Sequence, residues 1–408
     1  MKRLLTAILV TGSFLCPVAK AQVNCGQASV SSKLVCLIPD ALNLTTPSAQ
    51  NLGFLNEAIG TQVSDLPLAS PASGIIYKND PKLNLPVPSS ETLGPVLTQR
   101  AETIGRHKMY IAATYQFFRF EDIDGIGLKQ LPILLLLQDG SAATVSNNRL
   151  DLTVNQMTAY FTFGVTSRID ASVAVPVLDV HEQFTTSGVE YCLSSGIAAC
   201  SPVGSIQSFQ NHIKSGAVRG LGDVVLAAKG TVWKPSKGGL AIGAELRLPS
   251  GDALNFLGSG TIGFKPYVSW TYGHRFSPHL NVAYQVNGKT ALLGNGQGGK
   301  GHLPDRLFYS GGADWGMTKW MTIAGDVLSQ RIFSAQRVEV ASQSITNPSL
   351  TYSTLQLFTR SYDRTDGSIG IKVKSFGNMV MTGNVLVALN QGGLRTRVVP
   401  FGGLSYTF

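Results

Sequence analysis

The sequence predicts an all-β fold: a transmembrane antiparallel up-and-down β-barrel of about 12 strands with an N-terminal periplasmic or plug segment. Segments after Lys108 alternate apolar with small or polar residues, as residues 169–177 do, and this is the period of a strand with two different faces. Short and long connections alternate between those segments. The chain also has 44 glycines and only 14% charged residues, which is unusual for a soluble enzyme.

Twelve segments carry this period of two, in which one face meets lipid and the other a polar lumen. We expect strands at residues 108–120, 149–165, 168–181, 218–233, 239–249, 260–273, 278–289, 307–317, 320–333, 366–375, 379–390 and 395–408. The short links are residues 166–167, 234–238, 274–277, 318–319 and 376–378. Bacterial barrels carry short turns on the periplasmic side, so an even strand number leaves both barrel ends there.

The N-terminus indicates an exported protein. Met1-Lys2-Arg3 is basic, an apolar run of about a dozen residues follows, and Ala19-Lys20-Ala21 has the small-x-small spacing of a signal peptidase site. We therefore expect a signal peptide over residues 1–21, and its apolar run is too short for a membrane anchor. No later stretch approaches the roughly 20 uninterrupted apolar residues of a membrane helix.

Residues 22–107 precede the predicted barrel, which occupies residues 108–408. This segment has a possible helix around Ala49 to Val63 and is rich in proline from Pro67 to Pro88. Two interpretations stay open: a disordered periplasmic extension, or a partly ordered plug. The apolar stretch Leu131 to Leu137 has two interpretations as well, an entry site folded over the mouth or a strand extension that packs against the rim.

The more apolar phase of each strand is expected to face lipid, where a charge costs about 2–4 kcal/mol at the midplane. The opposite phase then carries the charged residues that we expect to line the lumen. They are Asp170, Asp223, Lys229, Glu245, Arg247, Lys265, Asp314, Asp326, Lys372, Lys374, Arg395 and Arg397. They form either a hydrated, selective passage or a network of ion pairs that closes a narrow barrel.

Four cysteines remain once Cys16 leaves with the signal peptide. Three connectivities are possible, and the sequence-local pairs Cys25 with Cys36 and Cys192 with Cys200 are preferred, because the two pairs lie on opposite sides of the predicted barrel. No histidine lies near them with zinc-finger spacing, so we expect neither a metal site nor a cofactor.

Several function classes are disfavoured. The formal charge of +9 includes Lys2, Arg3 and Lys20 of the signal peptide, and the other basic residues are not clustered, which argues against nucleic acid as a partner. The glycine-rich loop at residues 294–301 lacks the Ser or Thr that follows the lysine of a phosphate-binding loop. No histidine is expected in mid-wall beside an outward serine, so we predict no enzyme and no catalytic residue.

Aromatic residues fall where the two girdles of a membrane barrel are expected, at Tyr110, Tyr115, Phe117, Phe118, Trp270, Tyr272, Trp315 and Trp320. The chain ends in alternate large apolar residues, Leu404, Tyr406 and Phe408, which resemble the signal read by outer-membrane assembly machinery. We therefore expect the bacterial outer membrane as location, with lipid, lipopolysaccharide and the barrel-assembly machinery as partners. A soluble β-sandwich, the competing fold, would carry more outward charges.

Four short stretches are similar to a known family: Thr98 to Gly105, Gly220 to Val224, Leu246 to Asp252 and Leu257 to Gly260. Together they resemble the outer-membrane family named for the meta-pathway of phenol degradation, over residues 98 to 408. The resemblance implies a barrel that admits small, often hydrophobic or aromatic compounds, and it implies no catalytic residue. The long N-terminal segment has no obvious counterpart in shorter members.

The expected function is passive uptake of small solutes through an outer-membrane channel, hydrophobic or aromatic solutes among them. The alternative is a closed structural or surface-binding barrel without transport. A lumen filled by interlocked charged side chains would favour this alternative.

Overall fold

A computed structural model describes residues 25, 31–42, 53–70, 77–80, 85–88, 91–136, 142–193, 206–235, 237–293, 300–346 and 349–408. The predicted signal peptide, residues 1–21, lies outside this part of the chain, as do Cys200 and Leu137. None of the helices in the described part is both long and apolar enough to cross a membrane.

The chain before the barrel forms short elements. A 3-10 turn, Leu34–Cys36, leads directly into α1. The other elements are α1 Leu37–Ala41, α2 Gly53–Val63, β1 Tyr77–Asp80 and β2 Leu85–Pro88, the last two paired as a hairpin. Helix α2 covers the later part of the region where the sequence indicated a helix.

The remaining strands are β3 Met109–Phe120, β4 Asp122–Ile123, β5 Ile126–Gly127, β6 Leu131–Leu136, β7 Ala142–Gly164, β8 Ile169–Cys192, β9 Ile206–Leu221, β10 Val224–Trp233, β11 Gly239–Leu248, β12 Gly263–Thr271, β13 Phe276–Asn287, β14 Lys289–Thr290, β15 Gly301–His302, β16 Arg306–Gly316, β17 Met321–Thr346, β18 Ser349–Lys374, β19 Met379–Ala388, β20 Leu394–Arg395 and β21 Val398–Thr407. Two further 3-10 turns are Ala253–Asn255 and Ala291–Leu293.

Twelve strands close into an antiparallel barrel, as the sequence predicted. Their order around the wall is β7-β3-β21-β19-β18-β17-β16-β13-β12-β11-β10-β8, and β8 pairs with β7 to complete the ring. The seam joins the last strand to the first, with Tyr406 opposite Ile111. Short turns lie at the end where β3 begins and β21 ends, which is therefore the periplasmic end.

The wall has an apolar outer face and a polar inner face. Along β3 exposed and buried residues alternate almost without exception, because successive side chains point to opposite sides of a strand. Ile111, Phe264, Val282 and Ile369 are among the exposed apolar residues that face lipid. Of the predicted girdle aromatics, Tyr110 and Phe118 are instead buried on the lumenal face, because their even positions on β3 carry the inward phase.

Four strands run well past the membrane: β7, β8, β17 and β18 have 23, 24, 26 and 26 residues. Much of residues 182–217 and 334–365 was expected as loops but belongs to paired hairpins. Outside the membrane neither face of a strand has to be apolar. The alternation of apolar and polar residues is therefore lost there, although the backbone hydrogen bonds between the strands continue. Leu131–Leu136 likewise extends the wall as β6, paired with β7.

The wall contains one interrupted strand position. Strand β8 pairs with β10 near the membrane, with Ala174 opposite Val225, and with β9 beyond it, with Val177 opposite Leu221. Strands β9 and β10 therefore lie end to end, and residues 222–223 between them leave the ladder.

The described parts of the N-terminal segment lie at the outer mouth and inside the lumen. Residues 31–42 contact β8, β9 and the 249–262 connection, where Leu34 N donates to Asn255 Oδ1 at 3.1 Å. Residues 53–70 reach inward side chains of β3, β7, β11 and β16. Residues 91–107 bond to side chains of β8, β10, β12, β13, β17 and β18 near the periplasmic end.

Gly164, the last residue of β7, lies where the N-terminal segment leaves the lumen. A Cβ at Gly164 would stand 1.8 Å from the carbonyl oxygen of Gly105, a backbone atom. The substitution Gly164→Ala is expected to lower the free energy of unfolding by about 1–3 kcal/mol, because the backbone at Gly105 has to shift. Urea unfolding in detergent micelles measures this. Gly402→Ala on β21, where a Cβ meets nothing within 4 Å, is the control, and an equal loss in both variants would contradict the prediction.

Candidate functional site

The structure places eleven of the twelve predicted charged residues on the inner side of the wall: Asp170, Asp223, Lys229, Glu245, Arg247, Lys265, Asp314, Asp326, Lys372, Lys374 and Arg395. Lys374 is half-buried, opposite inward Val380 at the periplasmic end. The twelfth, Arg397, does not line the lumen. Its side chain is 73% exposed and lies 3.3 Å from Glu121 Oε2, because β21 begins only at Val398 and the strand alternation does not reach Arg397.

Two buried lysines hold residues 91–107 against the wall. Lys229 Nζ donates to the carbonyl oxygens of Arg100 and Glu102 at 3.0 and 2.8 Å. Lys372 Nζ, on the far side of the lumen, donates to the carbonyls of Leu93 and Pro95. An ammonium group carries three donors, so each lysine satisfies two backbone acceptors that would otherwise be buried without partners. This periplasmic part of the segment is therefore fixed from opposite sides.

His279 lies between two carboxylates beneath the same residues. Its Nε2 is 2.6 Å from Asp326 Oδ1 and its Nδ1 is 3.3 Å from Asp314 Oδ1, and all three side chains are almost fully buried. Thr98 Oγ1 donates to the same Asp326 oxygen at 3.1 Å. His279 belongs to the predicted strand 278–289, and it faces the lumen near the start of β13. Its two carboxylates come from β16 and β17 and tie three strands together.

A cavity of about 220 Å³ lies in the middle of the lumen, between residues 65–69 and residues 97–99 of the N-terminal segment. Tyr267, Phe308 and Leu328 form part of its apolar lining. Polar groups line the remainder, among them the ion pair between Lys265 and Glu245. Lys265 Nζ also stands 5.0 Å from the centre of the Phe308 ring, within cation–π distance.

Asp65 places a carboxylate of the N-terminal segment between two arginines of the wall. Arg306 approaches Asp65 Oδ2 at 2.6 Å and Arg247 approaches Oδ1 at 3.5 Å. Burial acts to raise the pKa of the Asp65 carboxyl, but Arg306, then Arg247, Lys265 and Arg364 lower this pKa below its ordinary value. Asp65 therefore stays ionised at neutral pH and ties residues 53–70 to β11 and β16.

A second ion-pair group lies further around the wall. Asp366 on β18 accepts from Arg364 Nε at 3.1 Å and from Arg395 Nη2 at 2.8 Å. Arg364 and Asp366 also line the cavity. Both belong to the interlocked charges of the lumen, and neither was among the predicted residues.

Asp223 joins the glycine-rich stretches that the sequence singled out. It occupies the break between β9 and β10 and is 6% exposed. Its Oδ1 accepts from Gly251 N at 3.1 Å, and its Oδ2 accepts from Ser259 N at 2.8 Å and from the Ser259 hydroxyl. The stretches around residues 220–224, 246–252 and 257–260 thus meet at one carboxylate, which fastens the connection between β11 and β12 to the break.

Cys25 and Cys36 form a disulfide, with Cα atoms 5.4 Å apart. Cys192 is also disulfide-bonded, and its predicted partner, Cys200, lies outside the described residues. Leu404 and Tyr406 are exposed on the lipid side of β21, and Phe408, which follows the strand, is exposed as well. Within the described residues, no group of His, Cys, Asp and Glu has an arrangement that could hold a metal ion.

Residues 137–301 match the model of the family described as "Putative MetA-pathway of phenol degradation". The chain resembles this family. The resemblance that the sequence indicated is confirmed over these residues, which contain the three stretches that meet at Asp223. The stretch from Thr98 to Gly105 lies outside the matched range, so its similarity stays a prediction.

Solved structures to which this chain shows similarity include an outer-membrane channel from Pseudomonas putida F1, with 12% identity, coverage of 76% of this chain and 98% of that chain, and a TM-score of 0.44. A Pseudomonas aeruginosa FadL homologue has 10% identity, coverage of 82% and 94%, and a TM-score of 0.31. The translocator domain of autotransporter NalP from Neisseria meningitidis has 9% identity, coverage of 74% and 88%, and a TM-score of 0.32. No curated protein matches the sequence.

Proposed function

We propose that this protein is a passive channel of the bacterial outer membrane that admits small solutes, hydrophobic or aromatic ones among them. The observation that carries the proposal is the cavity of about 220 Å³ inside a transmembrane barrel. An apolar cavity of about 150 Å³ in another protein binds benzene. The volume therefore suits a solute with a single ring.

The lining of the cavity also suits such a solute. Ligand sites are mostly apolar walls with a few placed polar groups that fix orientation. Here Tyr267, Phe308 and Leu328 supply apolar surface, and Gln285 and Asn281 supply neutral polar groups. The lining resembles a holding position for one molecule more than a wide aqueous pore.

In this proposal, described residues of the segment 22–107 act as a plug with two parts. Residues 91–107 form a fixed collar, held by Lys229 and Lys372. Residues 53–70 form a cover that Asp65 ties to the wall. Passage along the lumen then requires the cover to move, driven by thermal motion and the solute gradient without an energy source.

The location is part of the same proposal. Residues 1–21 would direct export and be removed, and the barrel would enter the outer membrane after the assembly machinery reads Leu404, Tyr406 and Phe408. Lipopolysaccharide would contact the outer face near the extracellular rim. No catalytic role is assigned to any residue.

Filling the cavity tests the channel. Ala227 on β10 lines the cavity, and its neighbour Ala228 faces outward. We expect Ala227→Trp to slow swelling of liposomes in benzyl alcohol or another small neutral solute by about fivefold or more, because passage depends on free width. Ala228→Trp puts the same side chain on the lipid face, which accepts aromatic residues, and should swell at the wild-type rate.

The second candidate is a closed structural or surface-binding barrel. The interlocked charges of the lumen favour it, since Arg364, Asp366 and Arg395 already form a continuous group. A closed barrel would give no solute-dependent swelling in the wild type and no difference between the Ala227→Trp and Ala228→Trp variants. That result would remove the channel proposal.

A further inference from the structure

The Asp65 carboxylate contacts the two arginines in the way that a bound ligand would. A carboxylate on an otherwise separate segment lies between guanidinium groups from two strands that are not neighbours, β11 and β16. Arg247 and Arg306 are 7% and 1% exposed. Paired guanidinium groups recognise carboxylates in particular, because their planar N–H groups match the two carboxylate oxygens.

Neighbouring side chains hold the two arginines in place independently of Asp65. Arg247 Nη2 donates to Asn287 Oδ1 at 2.6 Å. Arg306 Nη1 donates to Gln330 Oε1 at 3.1 Å. Both partners belong to the wall, so the arginines stay positioned when the cover is absent. The site is built into the barrel and not into the segment that occupies it.

The arginines have more donors than the segment uses. Arg247 Nη1 and Arg306 Nη2 donate to the backbone carbonyls of Ser64 and Thr61. The Nε atoms of both arginines are buried and have no hydrogen-bond partner among the described residues, although Arg247 Nε lies 3.8 Å from Asp223 Oδ2. A buried N–H without an acceptor is costly, so spare donors at this position favour an additional or larger anion.

One arginine of the pair, Arg247, lines the cavity. Asp65, Arg247 and Phe308 all line it, and Arg247 therefore connects the anion position to the aromatic surface. A small acid with a carboxylate on a ring would place the ring against Phe308 and the carboxylate at the position of Asp65 Oδ1 and Oδ2.

We propose that Arg247 and Arg306 form a binding site for the carboxylate of a small apolar or aromatic acid, and that this solute displaces Asp65 and so releases residues 53–70. The inference rests on the proposed channel and names its solute class. Asp65 is a tethered competitor at high local concentration, so thermal motion opens the cover for a small fraction of the time and a free acid raises that fraction. Solute binding and opening of the cover are then one event.

Binding of sodium benzoate, followed by calorimetry on the detergent-solubilised full chain, tests the proposal. We expect Asp65→Asn to bind benzoate about tenfold tighter than the wild type, because the competing carboxylate is gone. Arg306→Gln should lose benzoate binding. Lys33→Met, which breaks the 2.8 Å ion pair with Asp252 at the mouth, is the matched control and should leave the affinity unchanged. Equal affinity in the wild type and Asp65→Asn would overturn the proposal.

Hydrogen exchange on the wild-type protein gives a test without substitutions. Saturating benzoate should speed exchange in residues 53–70 and leave residues 91–107 protected, whereas benzyl alcohol, which lacks the carboxylate, should change neither. Unchanged exchange in 53–70 would contradict the inference. If benzyl alcohol enters the liposomes but benzoate neither binds nor alters exchange, the binding-site inference is wrong and the channel proposal stands. If benzoate displaces Asp65 but no solute crosses the membrane, the channel proposal is wrong and the binding site stands.

Discussion

Deleting residues 22–70 is expected to raise the single-channel conductance of the reconstituted barrel by about threefold or more, because the deletion removes residues 53–70, which lie inside the lumen. The deletion leaves residues 91–107 and their lysine contacts in place, so the ring of twelve strands keeps its collar. Planar-bilayer recording of ion currents in the two proteins is the measurement. The size of the increase reports how much of the lumen the removed residues close.

A shorter deletion from the same segment shows whether any deletion there raises the conductance. Tyr77 and Pro88 are opposite each other in the hairpin of β1 and β2, so removing residues 77–88 joins two neighbouring points of the chain. This variant should conduct like the wild type. If both deletions raise the conductance equally, or if the 22–70 deletion leaves it unchanged, residues 53–70 are not the cover.

Replacing Asp223 by alanine is expected to lower the free energy of unfolding by about 3–5 kcal/mol, because three donors and the Arg247 guanidinium lose a buried acceptor. The donors are Gly251 N, Ser259 N and the Ser259 hydroxyl. Urea unfolding in detergent, followed by the loss of β-sheet circular dichroism, measures the change. The connection between β11 and β12 should also become sensitive to protease.

Asp179→Ala serves as the comparison for Asp223→Ala. Asp179 on β8 is paired with His181 at 3.0 Å, but their side chains are 29% and 51% exposed. Such a pair contributes about 0–1 kcal/mol, so its loss should change the unfolding free energy little. Similar effects of the two substitutions would show that Asp223 is not a special attachment point.

The strands could be predicted from the sequence because the membrane imposes a chemical difference on the two faces of each one. Between Met109 and Phe120, or between Gly263 and Thr271, the exposure of the side chains alternates with a period of two, with a few half-buried exceptions. Where β17 and β18 leave the membrane the constraint ends. Residues 335–346 and 349–360 therefore lack the sequence signal although they remain in the ladder.

The inward phase located the lumenal charges but not their partners. Arg306 and Asp366 share the phase of residues that were predicted, Asp314 and Lys372, but Arg306 lies one residue before the expected strand and Asp366 at the first residue of another. His279 lies inside the predicted strand 278–289 and shares the inward phase of β13, but it was not among the predicted lumenal residues. Extending the alternation by one residue would have found Arg306, whereas Asp366 and His279 needed only to be included in the inward phase of their predicted strands. No sequence pattern indicated that Asp65 pairs with Arg247 and Arg306. These residues are far apart in the chain and meet only because the N-terminal segment lies inside the lumen.

The threading of that segment also bears on the order of assembly. Residues 31–42 lie at the outer mouth, residues 53–70 lie inside the lumen and residues 91–107 lie near the periplasmic end, all within the ring that the seam between β3 and β21 closes. Once β3 and β21 have paired, the N-terminal segment could enter the closed barrel only by one end. Laying it against the open, curved sheet before β21 meets β3 avoids that passage. We therefore expect the pairing of β21 with β3 to form last during biogenesis, after the N-terminal segment has been laid against the sheet.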